Sequence, residues 1–177
     1  SFDYGFCVGG AYPRVDVIDK HQFATTDNSV DVGNLSSTRS DMSAASSVDS
    51  GFVAGGYPTT SVIDKFAFAS IANATGHGDL SRSCSYVKGM NSVDNGYCSG
   101  GYPTTTQRDR YSFASNTTAV DDGDELGGHD NYGNGISSST HGFAVGGTPS
   151  GGVPSNIIDR FAFDSGGTAG DWGDLSQ

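Results

Sequence analysis

Apolar positions in this chain fall into short alternating runs and show no sustained helical spacing. The clearest run is Val62 to Phe68. There Val62, Asp64, Phe66 and Phe68 face one way and Ile63, Lys65 and Ala67 the other, the period-two pattern of a strand. Ahead of it, Gly51-Phe52-Val53-Ala54-Gly55-Gly56 predicts another strand, and Ser40 to Ser46 a weakly apolar one. A fourth, short edge strand closes on Leu80. Turn residues separate them: Tyr57-Pro58-Thr59-Thr60 after the second strand and Asn73 to Gly78 after the third. The pattern predicts an all-β chain.

The same four-strand pattern is written four times. The double glycine recurs at Gly9-Gly10, Gly55-Gly56, Gly100-Gly101 and Gly146-Gly147, in steps of 46, 45 and 46 residues. A Gly-aromatic pair precedes each: Gly5-Phe6, Gly51-Phe52, Gly96-Tyr97 and Gly142-Phe143. An acid, a base and a later Phe follow: Asp19-Lys20 to Phe23, Asp64-Lys65 to Phe68, Asp109-Arg110 to Phe113 and Asp159-Arg160 to Phe163. Each unit ends on a turn closing at Leu35, Leu80, Leu126 or Leu175, which divides the single repeat domain 1–177 into units 1–35, 36–80, 81–126 and 127–177. Repeats of about 45 residues with four strands apiece are the signature of propeller blades. The glycine pairs are expected where inner strands crowd the axis and side chains do not fit.

These landmarks resemble the kelch repeat, with one departure: the tryptophan expected late in each unit occurs once, as Trp172. The resemblance implies a β-propeller of kelch-like four-stranded blades. More narrowly, Ile63-Asp64-Lys65-Phe66 through Gly78-Asp79-Leu80 looks like repeats in virion-associated, tail-fibre-type proteins of marine bacteriophages. That implies an extracellular or virion setting among other protein subunits.

The chain is out of phase with its own repeat. Ser1-Phe2-Asp3 aligns with Ser47-Val48-Asp49, so the first unit lacks its first strand. Two readings follow: the sequence is a piece of a longer array, part of a larger ring or assembly whose missing strand is not included here, or the open edge takes a strand from another subunit.

Composition narrows the chemistry. Gly supplies 27 of 177 residues and aromatics 11%, which suits short strands and many turns. A net charge of −11 repels phosphate backbones and argues against nucleic acid. No apolar run approaches membrane-spanning length, so no membrane insertion is expected. Cys7 and Cys98 share a column with Val53 and Ala144, a small apolar packing position, and with Cys84 make an odd count that speaks against a disulfide framework. His21, His77, His129 and His141 fall at non-equivalent positions with no metal spacing. The recurring Asp19, Asp64, Asp109 and Asp159 read either as a carboxylate ring around an axial metal or, preferred here, as acceptors for neighbouring turns that lock blade to blade. Asp122, Asp124 and Glu125 form the densest acidic turn and are the candidate calcium ligands; no other cofactor is implied.

The remaining candidate site is surface recognition. Tyr12-Pro13, Tyr57-Pro58-Thr59-Thr60, Tyr102-Pro103-Thr104-Thr105 and the longer Thr148 to Pro154 emerge on one side of every unit. Tyr12, Tyr57, Tyr102 and the hydroxyls of Thr59, Thr60, Thr104 and Thr105 suit a cell-surface glycan or a peptide, the ring stacking and the hydroxyls bonding. No nucleophile, base and orienter come together in the pattern, so the chain reads as non-enzymatic. The expected function is a structural or binding repeat of an external assembly. The alternatives are a lectin-like glycan binder and a kelch-type protein-interaction module.

Overall fold

The computed structural model describes residues 3–127, 132–148 and 152–176. His129, Pro149 to Gly151 of the fourth loop, and the end residues Ser1, Phe2 and Gln177 lie outside the described residues.

The fold is all-β. A three-stranded sheet contains β1 (Tyr4–Gly10), β2 (Val15–Gln22) and β3 (Val30–Asn34). Three four-stranded sheets follow. The first is β4 (Ser43–Ser46), β5 (Ser50–Ala54), β6 (Thr60–Ala67) and β7 (Thr75–Cys84). The second is β8 (Lys88–Asn91), β9 (Asn95–Ser99), β10 (Gln107–Ser112) and β11 (Val120–Asp124). The third is β12 (Asn134–Ser137), β13 (His141–Gly147), β14 (Ser155–Ala162) and β15 (Gly170–Asp174). Every sheet is an antiparallel meander in sequence order, a blade-like unit; they are numbered blades 1 to 4. The described residues include no helix that is long and apolar enough to cross a membrane.

Register repeats with the sequence. Phe6 pairs Lys20, Phe52 pairs Lys65, Tyr97 pairs Arg110 and Phe143 pairs Arg160. Side chains alternate across a strand, so the acids opposite the small column (Cys7, Val53, Cys98, Ala144) share one face, and in blades 2 to 4 Asp64, Asp109 and Asp159 meet the end of the blade before. Phe6, Phe52 and Tyr97, the Gly-flanked aromatics of blades 1 to 3, face the blade after.

The core lies between blades. Phe6 stacks on Phe68 at 4.9 Å, Phe52 on Phe113 at 4.5 Å and Tyr97 on Phe163 at 4.9 Å. Around the first stack pack Ile18, Val32 and Leu35 against Val53 and Phe66. Around the second pack Ile63, Leu80 and Cys84 against Cys98 and Tyr111, and around the third Met90 against Phe161 and Ala169. Fully burying one such side chain contributes roughly 1.5–3 kcal/mol, so these layers are the main hold between blades. At one edge of each four-stranded sheet β4, β8 and β12 lie side by side.

Two expectations are corrected here. The double glycines do not line the crowded edge. Gly55 (φ +66°) and Gly56 (φ +118°) turn the corner between β5 and β6, with Cys84 O and the Met42 side chain where a Cβ would stand. Close approach of the inner strands is instead permitted by Gly89 and Gly135, whose Cβ would strike the backbone carbonyls of Ala44 and Gly89. Secondly, Leu126 is not the closing residue of its unit. Glu125 N donates to Thr106 O, as Leu35 N does to Asp16 O and Leu175 N to Asn156 O, which puts Glu125 in the leucine column and leaves Leu126 half exposed.

Candidate functional site

The recurrent acids sit in the blade interfaces. Asp64 accepts from Ser36 N and Oγ, both at 2.9 Å, and from Arg39 Nη2 at 2.8 Å. Asp109 accepts from Ser81 N at 2.9 Å and Ser81 Oγ at 2.7 Å, and Asp159 from Leu126 N at 2.9 Å. All three are fully buried, and each donor lies just beyond the closing residue of the preceding blade. The carboxylates are therefore latches between blades. Asp19, at the front of blade 1, is only half-buried, and no described group donates to it. Arg39 adds a second tie, donating to Gly55 O and Val62 O; Arg82 repeats it at Gly100 O and Gln107 O. Burial pushes the Arg39 guanidinium below its ordinary value, and Asp64 opposes the shift.

The acidic segment of blade 3, expected as a turn, is strand β11 as far as Asp124, and its carboxylates are committed as well. Asp122 pairs with Arg110 Nε at 2.8 Å and Arg108 Nη2 at 3.4 Å, and Asp124 accepts from Thr106 Oγ1. Glu125 is buried, 3.3 Å from Lys88 Nζ and bonded by Ser99 Oγ. The three candidate calcium ligands thus point to three separate sets of partners. Among the described residues no group of three or more His, Cys, Asp or Glu is arranged to hold a metal ion. His77 bonds Ser112 O and packs edge-on against Phe52, and His141 bonds Thr140. The three cysteines are free thiols, with Cys84 and Cys98 buried 4.0 Å apart.

The recognition loops build a different kind of place. Tyr12 is fully exposed, and Tyr57 and Tyr102 about half. Tyr12 and Tyr57 converge with Tyr86 and Tyr132 on one open depression of about 690 Å³, lined also by Arg14, Thr38, Ser40 and Asp41. The Arg14 guanidinium lies over the Tyr57 ring at 5.0 Å, and the Tyr86 and Tyr132 rings meet at 5.3 Å and 57°. Tyr102 is not among the lining residues. The Thr60 and Thr105 hydroxyls accept from Val62 N and Gln107 N two residues on, so they shape their own turns.

Tyr86 and Tyr132 were not among the expected site residues. They share a repeat column with Asp41, just ahead of the innermost strands, and all three hold left-handed backbone at φ +57°, +60° and +56°. For a bulky residue that conformation costs about 1–2 kcal/mol and survives only where the surroundings enforce it. Here Tyr86 N donates to Asp41 O at 2.8 Å, tying the column together across two blades. Partial desolvation, then the Asp41 carboxylate, raise the Tyr86 phenol above its ordinary value and keep it a hydrogen-bond donor. The 45- and 46-residue steps of this column are the signal that would have found it.

Comparison with models of protein families finds no match, and comparison with curated proteins finds none either.

Proposed function

We propose that this chain is a β-propeller-type, non-catalytic recognition module of an extracellular or virion assembly, and that it holds carbohydrate in its tyrosine-lined mouth. One observation carries the reading: Tyr12, Tyr57, Tyr86 and Tyr132, one from each repeat, surround a single depression. Tyrosine rings offer flat apolar faces for the C–H faces of a sugar, and their hydroxyls find partners at the wet rim. Asp41, Arg14 and Thr38 add an acceptor, a fixed cation and a hydroxyl beside those rings, the mixture a polyhydroxyl ligand needs. The non-catalytic half is supported by the use already made of the buried acids: Asp64 is held by Arg39 and Ser36, and Glu125 by Lys88 and Ser99.

Glycan-array screening followed by calorimetry tests the proposal. Tyr57→Ala and Tyr86→Ala are expected each to weaken the best ligand about tenfold or more, the equivalent of roughly 1.4 kcal/mol. Tyr102→Ala, outside the depression, is expected to leave affinity unchanged. Failure of a broad array, or equal losses from all three substitutions, rejects the site.

A further inference from the structure

One pair of groups in the core is reactive as well as apolar. Cys84 and Cys98 are fully buried, and their sulfurs lie 4.0 Å apart in the layer shared by blades 2 and 3. Different elements bring them together. Cys84 ends β7 and leads into blade 3, whereas Cys98 lies in β9, paired with Gly89 of β8 and Asp109 of β10. Room for the Cys84 sulfur is left at the corner of blade 2, where a Cβ on Gly55 would stand 3.1 Å from it.

The repeat shows that this meeting is particular to one unit. The bridges Ser40 to Tyr57 and Ser85 to Tyr102 put Cys84 in the column of Arg39, and the register puts Cys98 in the column of Val53. These two columns touch in unit 2 as well, where Arg39 Nη2 donates to Val53 O at 3.3 Å. By sequence count, unit 4 carries Asp130 and Ala144 in them. Cysteine therefore enters both touching positions in the same unit. The ties of Arg39 are not lost with it, because Arg82, two residues before Cys84, makes the corresponding bonds to Gly100 O and Gln107 O. A small apolar filler gives no reason for cysteine in both columns at once. An odd total of three still leaves one pair, with Cys7 exposed on β1 of blade 1.

We infer that Cys84 and Cys98 join as a disulfide wherever a disulfide oxidant is present. A disulfide holds its sulfurs about 2.05 Å apart, so the two close by about 2 Å. The reaction is exchange with a small disulfide such as oxidised glutathione. One cysteine thiolate attacks a sulfur of the oxidant and expels a glutathione thiolate. The other cysteine thiolate then attacks the mixed disulfide at the protein sulfur and expels the second. Two protein thiols are oxidised, one glutathione disulfide is reduced to two thiols, and these take up the two protons released. Both sulfurs are enclosed in the finished fold, so the exchange takes place as blades 2 and 3 come together. The bond ties down the segment that carries Tyr86, two residues beyond Cys84, into the tyrosine mouth. In the external setting proposed above it is closed. The test supplies its own oxidant and does not depend on that setting.

The full chain is equilibrated with reduced and oxidised glutathione, folded in buffer and unfolded in concentrated urea, then quenched with acid and digested with trypsin. Cleavage after Arg82, Lys88 and Arg108 puts Cys84 in peptide 83–88 and Cys98 in peptide 89–108, so mass spectrometry reads the link directly. The folded chain is expected to join these two peptides and to leave Cys7 outside the link. It is expected to resist reduction about tenfold or more better than the unfolded chain, because the fold itself holds the two cysteines together. Amide exchange at Ser85 and Tyr86 is expected to be severalfold slower in the oxidised chain than in the reduced one. No link in the folded chain, a link to Cys7 instead, or equal resistance to reduction in buffer and urea overturns the inference. Unchanged exchange at Ser85 and Tyr86 overturns the anchoring of the mouth. None of these outcomes requires a sugar to be bound, so they are read apart from the glycan screen.

Discussion

The Tyr111 hydroxyl is buried with no described hydrogen-bond partner, in a column that carries Phe66 and Phe161 in two other repeats. An unsatisfied buried polar group is a cost that its apolar isostere removes. Tyr111→Phe is therefore expected to raise stability by about 1 kcal/mol in a thermal or urea melt at neutral pH. The substitution also has a pH signature. Burial, foremost, raises the Tyr111 phenol well above its ordinary value. The unfolded chain releases that proton near pH ~10 while the folded chain keeps it, so stability is whole below that pH and falls above it. Tyr111→Phe removes this share of the alkaline loss. A Phe variant less stable than the wild type at neutral pH contradicts the assignment. Half of the tyrosine mouth was legible at this scale: Tyr12 and Tyr57 stand out because Tyr-Pro recurs after the double glycine. Tyr86 and Tyr132 do not, because their column includes Asp41 and introduces the weakest strand of the unit.

At the scale of the strand, blade 3 shows how one inserted residue is absorbed. Glu125 takes the place of a core leucine, and the charge is tolerated because Lys88, on the innermost strand of the same blade, is buried against it. Removing one member of a buried pair leaves the other charge unmatched, which costs about 3–5 kcal/mol, whereas replacing both with apolar groups is often neutral or stabilising. Glu125→Leu is expected to destabilise by that amount in chemical denaturation. Adding Lys88→Met is expected to recover most of the loss. Additive losses in the double variant contradict the pairing. The strands themselves were readable, since the alternation in Val62 to Phe68 and the Gly-aromatic pairs fixed the second and third strands of each unit. The closing residue of unit 3 was not readable. Leu126 preserves the count to the next double glycine, and nothing local marks Glu125 as buried until the distant Lys88 is brought beside it.

Across the whole molecule the sequence repeat becomes a stack of blades whose identical interfaces, an aromatic pair plus an aspartate latch, run from blade 1 to blade 4. The repeat length and landmark order announced blades; what they withheld was direction. Only the structure shows that the Gly-flanked aromatic faces the following blade and the latch aspartate the preceding one. The stack is tested most directly by contacts between ring protons in a nuclear Overhauser spectrum with assigned aromatics. The account predicts cross-peaks between Phe6 and Phe68, Phe52 and Phe113, and Tyr97 and Phe163, each joining residues of neighbouring repeats. A folded chain lacking these three cross-peaks, or pairing the rings in another order, contradicts it.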